Sequence, residues 1–256
     1  MSEMSQASTS RFSNRVADYA KYRPDYPAEL FELLKRECGL FRHTYIADIG
    51  SGTGILTKHF LETGNIVFGI EPNAEMRAFA ERDLAQFKKF TSVDATAEAT
   101  TLPNTCIDMI TAAQAAHWFE RRKARSEFVR ILKPGGWVVL IWNEREVDST
   151  PFLRDYEALL LKFGTDYENV RHERTTYKID EFFAPSKYKS AVLENHQLFE
   201  FEGLAGRLRS SSYAPAVGHA NHELMMAELK RSFAEHQRDG KVSFDYKARV
   251  YWSQLR

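Results

Sequence analysis

The chain has 256 residues, 43% of them hydrophobic and 27% charged, with Lys+Arg and Asp+Glu balanced at 35 each. That length suits one large α/β domain or a domain with an added cap, and the composition is that of a soluble globular protein. Zero net charge argues against a surface built to track nucleic-acid phosphates; the densest basic run, "RRKAR" at 121–125, reads as a solvated helix face. Cys38 and Cys106 lie far apart without metal-like spacing and read as reduced cytoplasmic thiols. The opening "MSEMSQASTS" is polar, which predicts a disordered tip rather than a signal peptide. The most apolar run, "WVVLIW" at 137–142, is far short of the roughly 18 residues of a membrane span.

In chain order, "AELFELLKREC" (28–38) predicts a helix with Leu30, Phe31, Leu34 and Cys38 near one face and Gly39 at its end. "TYIADIG" (44–50) predicts a buried strand, 53–63 a helix, "IVFGIE" (66–71) a strand, 73–87 a helix and "KFTSVDA" (89–95) a third strand. "CIDMITAAQ" (106–114) is a fourth strand, 121–133 a helix closed by Pro134-Gly135-Gly136, and "WVVLIWN" (137–143) a fifth strand. Strands alternating with helices predict a parallel sheet with helices on both faces and ligands beyond the carboxyl ends of the strands.

After Asn143 the alternation stops. Residues 150–164 predict a helix with Pro151 in its first turn and Gly164 at its end. Residues 188–203 predict a strand and a turn, 222–237 a helix, and 241–252 a final strand. Residues 144–186 thus read as an insertion at the ligand edge, placed to form a lid.

The chemistry concentrates at "ADIGSGTGILTKHF" (47–60). Gly50, Gly52 and Gly54 end a strand and open a helix, where glycine permits positive φ and close backbone approach. A dinucleotide fingerprint would need its third glycine at 55, which is Ile55, and the P-loop pattern is absent. Glu71 ends the next strand roughly 20 residues on, where an acid accepts from two ribose hydroxyls. The ligand is thus expected to carry a ribose and no pyrophosphate.

"ADIGSGTGILT", "VFGIEPNAEM", "SVDATAEATTLP", "IDMITAAQAAHWF" and "ILKPGGWVVLI", in this order, resemble the class I S-adenosylmethionine-dependent methyltransferases. The likeness is greatest to the small-molecule group that includes the trans-aconitate and ubiquinone-type enzymes. It covers residues 44–143 strongly and extends to "RVADYAKYRPDYP" near the N-terminus; after 150 it is loose. It implies a Rossmann-like α/β domain with a seven-stranded, mostly parallel sheet, helices on both faces and the last strand antiparallel. The expected single domain comprises a cofactor-covering segment (1–27), a cofactor-binding core (28–143), the lid insertion between strands five and six (144–186), and C-terminal strands and a helix that complete the sheet (187–256).

The resemblance also implies roles. Gly50, Ser51, Gly52 and Gly54 would line the methionine part of the cofactor, and Asp48 would hold its ammonium with the Gln114 carbonyl. Glu71 would take the ribose hydroxyls, Pro72 and Asn73 would border the adenine, Asp94 would accept from its amino group and the Ala95 N–H would donate to its ring. These groups suit a ligand whose amine, hydroxyls and amino group all donate. Arg23 would pair with the cofactor carboxylate. Tyr19 and Tyr22 would cover the sulfonium or touch the substrate, with Tyr22 grouped with the cofactor residues and Tyr19 a candidate catalytic residue. His117, as base or orienting group, and Trp118, as substrate contact, follow strand four; ordinary loop packing is the competing reading for both.

Asp94 and Asp108 form no cluster that would hold a metal, so none is expected. The absence of N-P-P-[Y/F] after strand four disfavours methylation of adenine N6 or a glutamine amide. Phe152, Tyr156, Phe163, Tyr167, Arg171, His172, Arg174 and Tyr177 put aromatics and cations in the second half. They suit a small acidic acceptor or a solvated surface equally, so a carboxylate or hydroxyl oxygen is a preference only. The alternatives are a non-catalytic S-adenosylmethionine-binding regulator or partner subunit, and a nicotinamide oxidoreductase, which Ile55 opposes. Neither nucleic acid nor a membrane is an expected partner.

Overall fold

A computed structural model describes residues 16–167, 178–211 and 213–255. The polar tip, and with it Arg171, His172, Arg174 and Tyr177, lies outside the described residues. Seven strands form one sheet in the order β3-β2-β1-β4-β5-β7-β6. They are β1 (Tyr45–Ile49), β2 (Ile66–Ile70), β3 (Phe90–Val93), β4 (Ile107–Ala113), β5 (Leu132–Arg145), β6 (Lys189–Phe199) and β7 (Val242–Ser253). β1 to β5 pair in parallel, while β7 runs antiparallel to both β5 and β6. The order turns back between β1 and β4, and the crevice at such a reversal is where open α/β sheets take ligands.

Both faces of the central strands are buried, so neighbours along a strand serve opposite cores. Ala47, Ile110, Val138 and Leu140 face one core with Phe128 and Ile131 of α5 (Arg121–Ile131). Ile46, Met109, Val139 and Ile141 face the other, with Leu30, Leu33 and Leu34 of α2 (Ala28–Cys38) and Phe60 of α3 (Ile55–Glu62). Leu33 rather than Phe31 completes the buried stripe of α2, which ends at Gly39 with φ +65°. α4 (Ala74–Asp83) follows β2 and is capped by Asn73, whose side chain accepts from the Met76 N–H at 2.9 Å.

Two local expectations are corrected. Pro134-Gly135-Gly136 does not close a helix: α5 ends at Ile131 and β5 already includes this stretch, with a register irregularity against β4 between Ile107 and Met109. A Cβ on Gly136 would lie 2.8 Å from Leu132 Cδ2 and 3.0 Å from the Asp108 carbonyl, so the bulge needs glycine there. Residues 200–203 are not a turn; after β6 the chain enters α8 (Phe201–Arg209).

A third core lies beyond the carboxyl end of β5. It joins α6 (Pro151–Phe163), α8 and α9 (Ala220–His236) to Phe199 of β6 and Val242, Phe244 and Tyr246 of β7. Tyr22, the last residue of α1 (Val16–Tyr22), packs against it. The cap therefore combines the insertion after β5 with both helices between β6 and β7. The short α7 (Ile179–Phe183), also in the insertion, instead sends Ile179, Phe182 and Phe183 into the sheet core beside α5. None of the described helices is long and apolar enough to cross a membrane.

Candidate functional site

Beyond β1 the backbone turns through three left-handed glycines, Gly50 (φ +69°), Gly52 (φ +58°) and Gly54 (φ +86°). Their reasons differ. A Cβ on Gly50 would lie 2.5 Å from the Ala115 Cβ, and one on Gly54 would lie 2.8 Å from Leu84 Cδ1, so both are also needed for packing. A Cβ on Gly52 would meet only Met76 Sδ, at 3.7 Å. The Gly50 and Ser51 N–H groups donate to the Ile70 carbonyl, which ties the loop to β2.

A cleft opens over this loop. Its walls are Tyr19 and Tyr26 of the N-terminal arm, Asp48, Gly50 to Thr53, Ile55, Leu56, Ala113 and Gln114. Asp48 is buried and accepts from the hydroxyls of Thr57 (2.7 Å) and Thr111 (2.8 Å). Burial pushes its carboxyl up to about 6, against the pull of those two hydroxyls. Glu71 is also buried; its oxygens accept from the Gly52 N–H (2.9 Å) and the Asn73 N–H (2.8 Å). Burial raises its pKa too, with the Asn73 and Gly52 bonds pulling the other way. Thr53 Oγ1, on the cleft wall, is buried without a hydrogen-bond partner. Gln114 holds φ +56°, a conformation non-glycine residues rarely adopt, and its side-chain amide donates to the Asn143 carbonyl at 2.8 Å.

The other expected residues fall in several places. Pro72 is half-buried beside Asn73, whose side chain serves the α4 cap. Asp94 is exposed and paired with Arg77 at 2.9 Å, and Arg77 also donates to the Glu71 carbonyl. Ala95 is buried in the sheet core. His117 and Trp118 stack at 4.8 Å in a 3₁₀ turn (Ala116–Trp118) after β4, next to the cleft residues but outside its lining. Tyr22 points away from the cleft into the cap, where its ring takes the space a side chain at Gly206 would fill. Arg23 is half-buried; its guanidinium lies over the Tyr19 ring at 4.7 Å and donates to the Ser210 carbonyl at 3.2 Å. Asp108 sits at the opposite end of β4, bonded to the Tyr45 N–H and Lys133.

Thr53 and Tyr26 had not been singled out from the sequence. Thr53 stands between two motif glycines, and Tyr26 in "DYP" shares the arm with Tyr19, so proximity in sequence was the available signal. The arm is held by side chains from β5 and β6. Asn143 and Asn195 donate to the Asp25 carbonyl, Gln197 donates to the Arg23 carbonyl, and His59 of α3 bonds the Asp25 carboxylate at 2.6 Å.

The cleft fits a ligand rich in donors. Asp48 on its wall and Glu71, bonded to the Gly52 N–H beside it, offer carboxylate oxygens, the Thr53 hydroxyl has no partner among the described residues, and glycine lets backbone approach.

Comparisons with known proteins agree with this geometry. The family model described as a methyltransferase domain matches residues 47–140. An uncharacterised methyltransferase of Schizosaccharomyces pombe is 26% identical over 250 residues, covering 95% of this chain and 96% of that one. Another, from Anoxybacillus flavithermus, is 34% identical over 154 residues, covering 55% of this chain and 71% of the relative. Among solved structures, a putative type II methyltransferase from Anaeromyxobacter dehalogenans superposes with a TM-score of 0.70 at 20% identity, covering 91% of this chain and 98% of that one.

Proposed function

This chain belongs to the class I S-adenosylmethionine-dependent methyltransferases, and we propose that its acceptor is a small molecule methylated on a carboxylate or hydroxyl oxygen. The cofactor, S-adenosylmethionine, supplies an electrophilic methyl group on a positively charged sulfur. The observation that carries the site assignment is the cleft over the glycine loop, with Asp48 and the Thr53 hydroxyl on its wall and Glu71 bonded to the Gly52 N–H beside it.

In this reading Asp48 and the Gln114 carbonyl take the ammonium, and Arg23 takes the cofactor carboxylate. Gly50, Ser51, Gly52 and Gly54 line the methionine chain, and Thr53 bonds its polar end. Glu71 takes the ribose hydroxyls. Pro72, Asn73 and Ala95 border the adenine, and Asp94 accepts from its amino group while remaining paired with Arg77. Tyr19 and Tyr26 close the cleft from the arm side, and Tyr22 anchors the arm in the cap. The role of these residues is chiefly positioning and exclusion of water. A carboxylate acceptor has no proton to lose and needs no base; for a hydroxyl acceptor His117 is the candidate base, with Trp118 beside the acceptor.

A small acceptor is supported by the arm forming one wall of the cleft and by the cap packed on that arm. The balance of charge supports a partner other than nucleic acid, and the free thiols of Cys38 and Cys106 suit the cytoplasm.

Isothermal titration with S-adenosylmethionine and S-adenosylhomocysteine tests the cofactor half. Incubation of a metabolite extract with methyl-labelled cofactor, read by mass spectrometry, tests the acceptor half. Failure of both cofactors to bind would sink the reading. Binding with no labelled product from any pool would favour the non-catalytic alternative.

A further inference from the structure

Among the described residues, the cap holds more positive charge than it neutralises. Arg23 of the arm, Arg145 at the end of β5 and Arg207 of α8 meet around the aromatic cluster of β7. The Phe244 ring has Arg145 5.9 Å and Arg207 5.6 Å from its centroid, and Tyr156 meets it edge-on at 4.8 Å. Arg145 is neutralised: it pairs with Glu157, and the Tyr167 hydroxyl bonds both. Among the described residues Arg207, 5% exposed, reaches neutral oxygens, the Tyr246 hydroxyl at 3.3 Å and Ser211 Oγ at 3.0 Å. Arg23 donates to the Ser210 carbonyl, and its buried Nε has no partner among the described residues. Neither Arg23 nor Arg207 has a carboxylate partner among the described residues.

Two further observations describe the field there. Burial alone would push the Tyr213 phenol up, yet Arg207, Arg145, a hydrogen bond with Ser211 and Arg23 together outweigh burial and hold it below its ordinary value. Burial, and after it Arg207, lowers the pKa of Arg23. The Tyr156 hydroxyl, on a residue 1% exposed, also has no hydrogen-bond partner. Uncompensated buried cations and unsatisfied buried donors are costly, and an anion relieves both costs at once.

The cluster connects to the cleft through one ring: Tyr19 lines the cleft and carries the Arg23 guanidinium on its face. If Arg23 takes the cofactor carboxylate, that ligand brings one anion to a cluster with two unneutralised cations. Arg207 remains.

We propose that Arg207, with the Tyr156 and Tyr213 hydroxyls, is the receptor for a carboxylate on the methyl acceptor, so that the substrates are small organic acids. The inference rests on the methyltransferase reading and adds to it the residues that select the acceptor. The recognised carboxylate is either the group methylated or a handle that holds a neighbouring hydroxyl in place.

The test titrates the protein loaded with S-adenosylhomocysteine with mono-, di- and tricarboxylic acids, their neutral amides, and inorganic phosphate. At least one carboxylate should bind the wild type, and its amide and phosphate should not. Arg207→Gln should weaken that binding by about tenfold or more, and Tyr156→Phe by severalfold. Both should keep the affinity for S-adenosylhomocysteine, which also reports that they fold; should Arg207→Gln not fold, Tyr156→Phe carries the test. Equal binding of amides or phosphate, no carboxylate binding, or unchanged carboxylate affinity in the variants would overturn the proposal. Failure of the wild type to bind S-adenosylhomocysteine would instead overturn the reading beneath it.

Discussion

On the β1 side the polar groups of the cleft come from Asp48 to Thr53, and Glu71, one strand away, holds the loop by accepting from two backbone N–H groups. On the cap side they come from Arg23, Arg145, Tyr156, Arg207, Tyr213 and Tyr246, drawn from nearly the whole chain, and every contact that matters is made by a side chain. A site made of backbone is set by local geometry and writes itself into a short motif. A site made of side chains depends on packing among distant helices and writes no motif at all.

Glycine substitutions should separate the two sides most sharply. Gly50→Val combines φ +69° with a clash against the backbone-fixed Ala115 Cβ at 2.5 Å. It should cost about 3 kcal/mol or more, read from the urea midpoint. In the cap, Gly206→Ala meets the Tyr22 ring at 2.1 Å from helical backbone, and a ring on the arm can move. About 1–2 kcal/mol is expected there. Equal losses would erase the distinction between a rigid loop and an adjustable cap.

Next in size, Glu71→Ala removes the acceptor of two backbone N–H groups as well as the proposed ribose contact. S-adenosylhomocysteine should bind at least about tenfold more weakly, and an unchanged titration curve would remove Glu71 from the site.

Asp48 gives the pH signature. Its folded-state pKa is raised by burial to about 6, so the protonated form is the one favoured by folding. The ligand-free protein should lose stability as pH rises from the ordinary Asp range to about 6, and change no further above it. Cofactor binding moves oppositely, because an ammonium needs the ionised carboxylate. Affinity for S-adenosylhomocysteine should rise about tenfold between pH 5 and pH 7, and Asp48→Asn should flatten that slope.

The smallest effect is expected from Thr53→Val. The hydroxyl has no partner among the described residues, so the thermal midpoint should barely move, while cofactor affinity falls severalfold. A large loss of stability with intact binding would make Thr53 a packing residue instead.

Legibility in the sequence followed the same division. The apolar runs of β1, β2, β4 and β5 and the periodic stripe of α2 were readable because both sheet faces are buried and each element carries its own pattern. α8 was hidden by Gly203 and Gly206, which look like a turn. It is helical because Leu204, Ala205 and Leu208 bury one face in the cap, and Gly206 is there to admit Tyr22. Pro134-Gly135-Gly136 looked like a helix stop and is a bulged strand, because pairing with β4 outweighs local turn preference.

The sequence by itself determined the α/β class, the cofactor and the glycine loop after β1, because those depend on backbone conformation, short spacings and residue chemistry. Only the tertiary structure decided that Tyr22 leaves the cleft for the cap and that Asp94 is shared with Arg77. It alone decided that half-buried Arg23 and buried Arg207 share the cap without a carboxylate partner among the described residues. Burial and charge balance belong to contacts between distant segments, and no local pattern records them.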